Sequence, residues 1–593
     1  MRTIHKYLPV LFSIIAMTFG SCSADYLDES DFPMEPGVGD TPLLNFDGQD
    51  NLTVSNDGGE YSFSFTANLP WMVESRASWV TLTCDDRGEG GKEPVKVTFT
   101  VSRNGTIEPR TGEIRVWITE DSEHIVTISQ EATPIQELGN NWYVKADGTG
   151  DGSSWASPTT LSNALAAAVD NDKIYVAAGT HCPTAMLAGG NQVKDNTFHV
   201  AANVSIIGGF PADATEGAVA DPDANPTILS GDIEGGPAFH VMVVTAPKSD
   251  IFSVNVSGVT ITGGYANSSA QTITINGAKL HRSYGAGITV GNTNVAFTDC
   301  VIRDNYSPGY CGAVYVTGGG EARFTDCLFE ENESGGNGAC IWNSATLYMD
   351  GCTVRNNSNT GVGCGLYAYD NDKGEVKSYI YNTSFLNNRT DGIKNSRRGG
   401  GCYFRENSRS VAVNCTFDGN FGGNGAAVAL YGTSALPSEL TMISCTVTNN
   451  ESAFTGGGVE AGDYTTLNMY NSIVAGNRDA EGYPDIVITS SNAGTSDLPA
   501  VLSYCIDGSA VYGKDKAAVS GAVFDFETML SSISDGVRAL SGDNNPALSY
   551  GMPVDELASI VTGMSPEVDP EILVSDQKGN DRTGNVMGAY TGD

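Results

Sequence analysis

Two aspartates carry the first candidate chemistry in this chain. Asp299 and Asp326 precede a cysteine in the matching phrases FTDCVIRDN and FTDCLFEEN, so their carboxylates share one outward register. Paired acids suit proton-transfer hydrolysis or Ca²⁺, but Ca²⁺ takes about six to eight oxygens, and the next phrase offers Gly351 instead. No cofactor is expected; Ca²⁺ has candidate ligands in Asp299 and Asp326, and in the loop of Asp370, Asp372 and Glu375. Three places beyond each cysteine, Arg303, Glu330 and Arg355 alternate in sign and read as a surface ion ladder. Asp370, Asp372 and Glu375 crowd a second acidic stretch, while the six histidines recur at no zinc-binding spacing. Cations concentrate at Arg389, Lys394, Arg397, Arg398, Arg405 and Arg409, which place six of the 32 basic residues within 21 positions. Guanidinium forks pair with carboxylate or sulfate and stack on ring faces, so an anion-binding edge is expected there. The alternative, that these cations only neutralise Asp370, Asp372, Asp391 and Glu406, stays open.

A repeat must position these groups. A small residue (Cys300, Cys327, Cys352, Thr383, Cys415, Cys445, Ser472) is followed two places on by Ile302, Phe329, Val354, Phe385, Phe417, Val447 and Val474. Five places on stands asparagine each time: Asn305, Asn332, Asn357, Asn388, Asn420, Asn450 and Asn477. A second phrase runs in step: GAGI, CGAV, GACI, GCGL, GGGC before Tyr403, GAAV and GGGV. Copies recur every 25 to 37 residues, the signature of a solenoid. Positions 0 and +2 share a strand face, and coils stacked at about 4.8 Å bury that face together. The asparagines suit a left-handed bend, and their amides are expected to bond from coil to coil as a structural ladder. The longest step places the basic cluster on an insertion.

These phrases resemble right-handed parallel β-helices of the pectate-lyase-like superfamily, and the repeat proteins of Bacteroidetes surface lipoproteins. The resemblance implies the fold more than the chemistry, since lyases, hydrolases, adhesins and spacers share it. None of the polygalacturonase-type NTD, GHG or RIK phrases, nor a pectate-lyase WIDH phrase, is present. The expected function is carbohydrate binding or adhesion at a cell surface, without catalysis. The alternative is a polysaccharide lyase or glycoside hydrolase on an acidic polysaccharide.

Net charge of −38 excludes nucleic acid and anionic lipid head groups as partners, and the oligomeric state is unspecified. At least five of the thirteen cysteines share one inward register of successive coils, where parallel side chains favour free thiols over disulfides. Residues 1–21 read as a signal peptide, with Arg2 and Lys6 before an apolar run and Phe19-Gly20-Ser21 before Cys22. That junction resembles a lipobox, which implies acylation of Cys22, an outer-membrane anchor and a cell-exterior location. Residues 22–40 are an acidic tether. Residues 41–132 show alternating runs (YSFSFTA, VKVTFTVS, EIRVWIT, HIVTISQ) between turn clusters, the pattern of a small β-sandwich. Leu69-Pro70-Trp71, Ala77-Ser78-Trp79 and Ile128-Ser129-Gln130 resemble the Ig-like BACON domain, which implies sugar stacking on Trp71 or Trp79 where a ring is exposed. Residues 140–593 then form the β-helix, with a helical cap near Leu161 and a closing C-terminal coil, so the fold class is all-β.

Overall fold

The computed structural model describes residues 41–592, apart from 47, 49, 105–107, 133–138, 250–251, 269–271, 392–397, 481, 483–484, 489–499, 543, 563–567 and 583. The signal peptide, Cys22 and the tether lie outside the described residues. The chain divides into two compact units, the second beginning at Gly139.

In the first unit, alternation dictates two sheets. Val97, Phe99 and Val101 on Val95–Val101 and Ile114, Val116 and Ile118 on Arg110–Thr119 are buried while their neighbours face out. A four-stranded sheet (Leu44–Phe46, Gly59–Ala67, Val95–Val101, Val80–Leu82) and a five-stranded one share this core with Phe65, Val126 and Ile128. The result is a sandwich.

In the second unit the coils run through sheets of 12, 13 and 10 strands and, from Tyr306–Ser307 to Arg478–Asp479, through a short one of 7. The pairing is parallel apart from two antiparallel strands that end the 13-stranded sheet. One coil runs Glu321–Thr325, Leu328–Glu330, Glu333–Ser334 and Ile341–Asn343, and the next begins at Thr346–Asp350. Register is kept from coil to coil: Phe324 pairs with Met349, Phe329 with Val354, and Ile341 with Leu366. All six side chains lie in one continuous core. Cys300, Cys327, Cys352, Cys415 and Cys445 stack unbridged in that core. Each thiol donates back to a carbonyl, as Cys327 does to Thr325 at 3.3 Å, and Thr383 does the same to Tyr381 at 2.7 Å. This is a right-handed parallel β-helix.

The asparagines form an unbroken amide ladder. Each Nδ2 donates to the next Oδ1: Asn305 to Asn332 at 3.1 Å, Asn332 to Asn357 at 3.0 Å, Asn388 to Asn420 at 3.0 Å, and Asn450 to Asn477 at 2.8 Å. The ladder ends on a carboxylate, where Asn477 donates to Asp485 at 2.7 Å. The left-handed bend does not fall on the ladder residues. It falls one place earlier, at Asp304, Glu331, Asn356, Asn387, Gly419, Asn449 and Gly476. That leaves each ladder amide free to turn inward.

Two expectations need correction. Leu366 pairs with Cys402, so Cys402 points inward and Tyr403 faces outward into an aromatic cluster. The C-terminus does not close the stack as a coil. Leu557 and Val561 of the helix Val554–Val561, with Val568 and Leu573, cover the outward-facing Val411, Val413 and Ile443 of the 12-stranded sheet. Gln577 donates to Ser384 at 2.7 Å and the Ala589 amide to Thr446 at 2.9 Å, so the tail is a strap along several coils. Its cause is that apolar outer row, which would otherwise face water. At the other end, helix Leu161–Ala167 buries Leu161, Ala164 and Leu165 in the main core, with Thr160 accepting from the Asn163 amide as N-cap.

Candidate functional site

The turn from the 12-stranded to the 13-stranded sheet repeats one left-handed residue: Asp299, Asp326, Gly351, Asn382, Asn414, Ser444 and Asn471, with φ between 47° and 64°. Asp299 and Asp326 therefore stand where a short polar side chain makes a left-handed bend tolerable. Gly351 leaves room for the Asp326 carboxylate, whose Oδ1 would lie 2.2 Å from a Cβ there and would have to turn aside. The acidic row does not stop at two, as the sequence pattern implied. Asp350, in register with Thr325, supplies a third carboxylate from one place earlier in the phrase. Burial first, then Asp299 and Asp350, push the Asp326 carboxyl above its ordinary range. Asp350 is anchored by Asn382 Nδ2 at 2.7 Å. Among the described residues no group of three or more His, Cys, Asp or Glu is placed to hold a metal ion.

Beside these acids runs a groove of about 630 Å³ on the outer face of the 12-stranded sheet. Arg323, Tyr348 and Tyr379 form its floor in register, and Thr325, Asp350 and Tyr381 form the adjoining row. Tyr348 and Tyr379 stack at 4.3 Å between centroids with planes 2° apart. The Arg323 guanidinium lies 4.4 Å over Tyr348 and 4.0 Å over Phe252, and pairs with Glu321 at 3.1 Å. Val568, Asp569 and Pro570 of the strap make the far wall. Burial pushes the Tyr348 phenol up to about 12 and raises Tyr381, so both remain neutral hydrogen-bond donors at ordinary pH. Tyr348 lies between Arg323 and Tyr379, so the groove offers ring edges and phenol hydroxyls beside carboxylates that accept from hydroxyls, groups that suit a polyhydroxylated ligand.

Three overlapping stretches, 185–358, 257–394 and 312–496, match the model of the right handed beta helix region, and together they span more than half of the chain. The chain belongs to the right-handed β-helix family. Residues 69–131 match BACON, an N-terminal domain to which binding is ascribed. Among solved structures the chain is similar to the crystal structure of pectate lyase Pel9A, at 14% identity and a TM-score of 0.44 over 77% of this chain and 96% of that one. A weaker likeness is to the Bacteroides ovatus GH5 xyloglucanase in complex with a XXXG heptasaccharide, at 16% identity and a TM-score of 0.14 over 28% of this chain and 45% of that one. No curated protein matches.

The described members of the basic cluster are each paired with a carboxylate. Arg389 meets Asp391 at 2.5 Å, Arg398 meets Glu460 at 3.4 Å, Arg405 meets Glu406 at 2.8 Å, and Arg409 meets Glu375 at 3.1 Å. Lys373 also bonds Glu406. Lys394 and Arg397 lie outside the described residues. Arg398 and Arg405 edge an aromatic row on the 10-stranded sheet, in which Tyr315, Trp342, Tyr367 and Tyr403 follow one another in register and are buried. Burial pushes Glu406 up, but Lys373 and Arg405 outweigh it and hold its carboxyl below the ordinary range. The expected projecting cationic edge is thus corrected for Arg398 and Arg405, whose forks are spent on buried carboxylates.

Trp71 is also corrected. It is 6% exposed, packs edge-on against Phe65 at 5.1 Å and donates its Nε1–H to the Glu89 carbonyl at 3.2 Å, as a core ring does. Trp79 is half-buried under the Arg110 guanidinium, 4.4 Å from its ring, and lines a shallow pocket of about 430 Å³ with Ser78, Thr111 and Glu113. The groove itself was missed because its strap wall and its outward tyrosines carry no repeat signal. The alternation of Tyr348, Tyr379 and Tyr381 with inward residues was the available clue.

Proposed function

We propose that this protein is a lipid-anchored cell-surface β-helix that binds a glycan chain across the coils at the Tyr348–Tyr379 groove, and so acts as a carbohydrate receptor or adhesin. The observation that carries the reading is the parallel tyrosine pair flanked by Arg323 and Asp350 in a groove open to solvent. Asp350 and Asp569 line the groove and Asp326 flanks it, against one guanidinium already paired with Glu321. This balance favours a neutral glycan over a uronate or sulfated one. Glycan-array binding of the full-length protein and of Tyr348→Ala and Tyr379→Ala tests it. Retention of glycan by both variants at wild-type strength would sink the groove.

A second reading, glycoside hydrolysis, is favoured by Asp326, whose carboxyl is raised by burial and by Asp299 and Asp350, the direction a general acid needs. Release of reducing ends from a polysaccharide panel, lost in Asp326→Asn, would establish it over binding alone. Release of products absorbing near 235 nm would instead mark a lyase. The anchor rests on the junction Phe19-Gly20-Ser21-Cys22. Cys22→Ala is expected to move the protein out of the outer-membrane fraction, and an unchanged membrane pellet would refute the anchor.

A further inference from the structure

Four aromatic rings cluster on the outer face of the first coils, far along the same 12-stranded sheet from the groove. Tyr143 and Tyr175 are outward residues of Asn141–Val144 and Lys173–Ala177, paired in register, while Trp142, Val144, Ile174 and Val176 point into the core. One connecting segment brings Trp155 over them, Phe210 ends the neighbouring strand Ser205–Phe210, and the segment after it brings Ala214 and Ala218. Ring centroids run Tyr143 to Trp155 5.1 Å, Trp155 to Phe210 5.3 Å, Phe210 to Tyr175 5.3 Å and Tyr175 to Tyr143 5.5 Å. The rings pack against one another and line one side of a half-open pocket of about 450 Å³, rimmed by Ser153, Ser154, Glu216 and Gly217. Glu216 is exposed at the mouth.

The lining decides the ligand class. A cationic ligand is disfavoured because the Lys145 ammonium already lies 5.9 Å over Trp155, held by the Ala214 carbonyl at 3.2 Å. An anion would meet Glu216 on the rim, and the Lys145 ammonium is already engaged by the Ala214 carbonyl. A purely apolar ligand would strip water from two phenols, Ser154 and a carboxylate without replacing it. A neutral pyranose satisfies every group: its C–H face stacks on a ring, and its hydroxyls donate to Glu216 and bond the phenols.

We propose that this pocket is a second sugar site, taking a single neutral pyranose or the end of a glycan chain, distinct from the groove and independent of whether the groove binds. The probe is a set of methyl pyranosides of glucose, galactose, mannose and xylose, titrated into the full-length protein by saturation-transfer NMR and tryptophan fluorescence. Binding in the millimolar range is expected for at least one of them. Glu216→Gln, an exposed change that spares the fold, is expected to weaken it about tenfold by removing a charge-assisted hydrogen bond. Trp155→Phe is expected to remove the fluorescence change while near-ultraviolet circular dichroism reports an intact fold. Tyr348→Ala is expected to leave this binding unaltered, which separates the pocket from the groove. Absence of binding by all four glycosides, unchanged affinity in Glu216→Gln, or loss of binding in Tyr348→Ala would each overturn the assignment.

Discussion

Asn357 donates its Nδ2–H to Asn388 Oδ1 at 2.9 Å, and its own Oδ1 receives Asn332 at 3.0 Å, so one amide serves three coils at once. Its Nδ2 also reaches the Phe329 carbonyl at 3.2 Å. The side chain is fully buried, so its removal leaves neighbours unpaired without water to replace them. Asn357→Ala is expected to cost on the order of 1–3 kcal/mol, read as a lower denaturation midpoint. Asn477, which hands its bond to Asp485 at the end of the ladder, is expected to cost less. An unchanged midpoint for Asn357→Ala would refute the ladder's contribution.

The ladder could be read from the sequence because the same residue type must recur wherever the same bend recurs. The acidic row was only half legible. Asp350 supplies its carboxylate from a register one place earlier than Asp299 and Asp326, so alignment by the cysteines hides it. Tyr403 shows the same blind spot: Cys402 and Tyr403 both fit an inward position, and only the pairing of Leu366 with Cys402 separates them. The groove wall at 568–570 comes from a strap with no repeat, packed there because Val411, Val413 and Ile443 face outward. Nonlocal packing of that kind leaves no periodic trace.

The stacked thiols are expected to be chemically silent. Burial pushes Cys311 and Cys505 up to about 12 and Cys300, Cys327 and Cys415 well above the ordinary thiol range. Iodoacetamide at pH 8 should therefore label the native protein only at the half-buried Cys84 and Cys182 and at any accessible thiol outside the described residues, as mass spectrometry would show. Rapid labelling of Cys327 in native buffer would contradict the packing.

Asp507 occupies an inward position, directly after Val474 in register, with Oδ1 buried and unbonded among the described residues. Burial and then Asp485 push its carboxyl up to about 6, against a smaller pull from Lys516. The native state thus holds a proton that the unfolded chain releases, so this group's contribution is whole below about pH 4 and is lost as pH rises through about 6. Asp507→Asn is expected to be more stable than wild type above pH 7 by on the order of 2–3 kcal/mol, with the gap closing near pH 4. A gap independent of pH would show that Asp507 is ionised at no cost.

Arg398 tests whether the paired cluster stabilises the coil stack. Its guanidinium is the ion-pair partner of Glu460 at 3.4 Å, and the Glu460 side chain is 2% exposed. Burial pushes Glu460 up, and Arg398 offsets part of that rise. Asn424 supplies the other contact, at 3.3 Å. Removing the arginine leaves a buried carboxyl that must either protonate or stay charged without a partner. Breaking a fully buried pair costs about 3–5 kcal/mol, but Arg398 keeps 20% of its side chain in water and Glu460 can take up a proton, so about 1–3 kcal/mol is expected at neutral pH. The sign with pH follows: Arg398→Ala raises the Glu460 carboxyl further, so the variant loses more stability than wild type as pH climbs, and the deficit shrinks near pH 5. Arg398→Ala with Glu460→Gln should recover most of the loss, since the charge that lacked a partner is gone. Urea melts of wild type and both variants at pH 5 and pH 8 measure this. An equal deficit at the two pH values, or no recovery in the double variant, would mean that Arg398 acts through its contacts with Tyr431 and the Leu430 carbonyl instead.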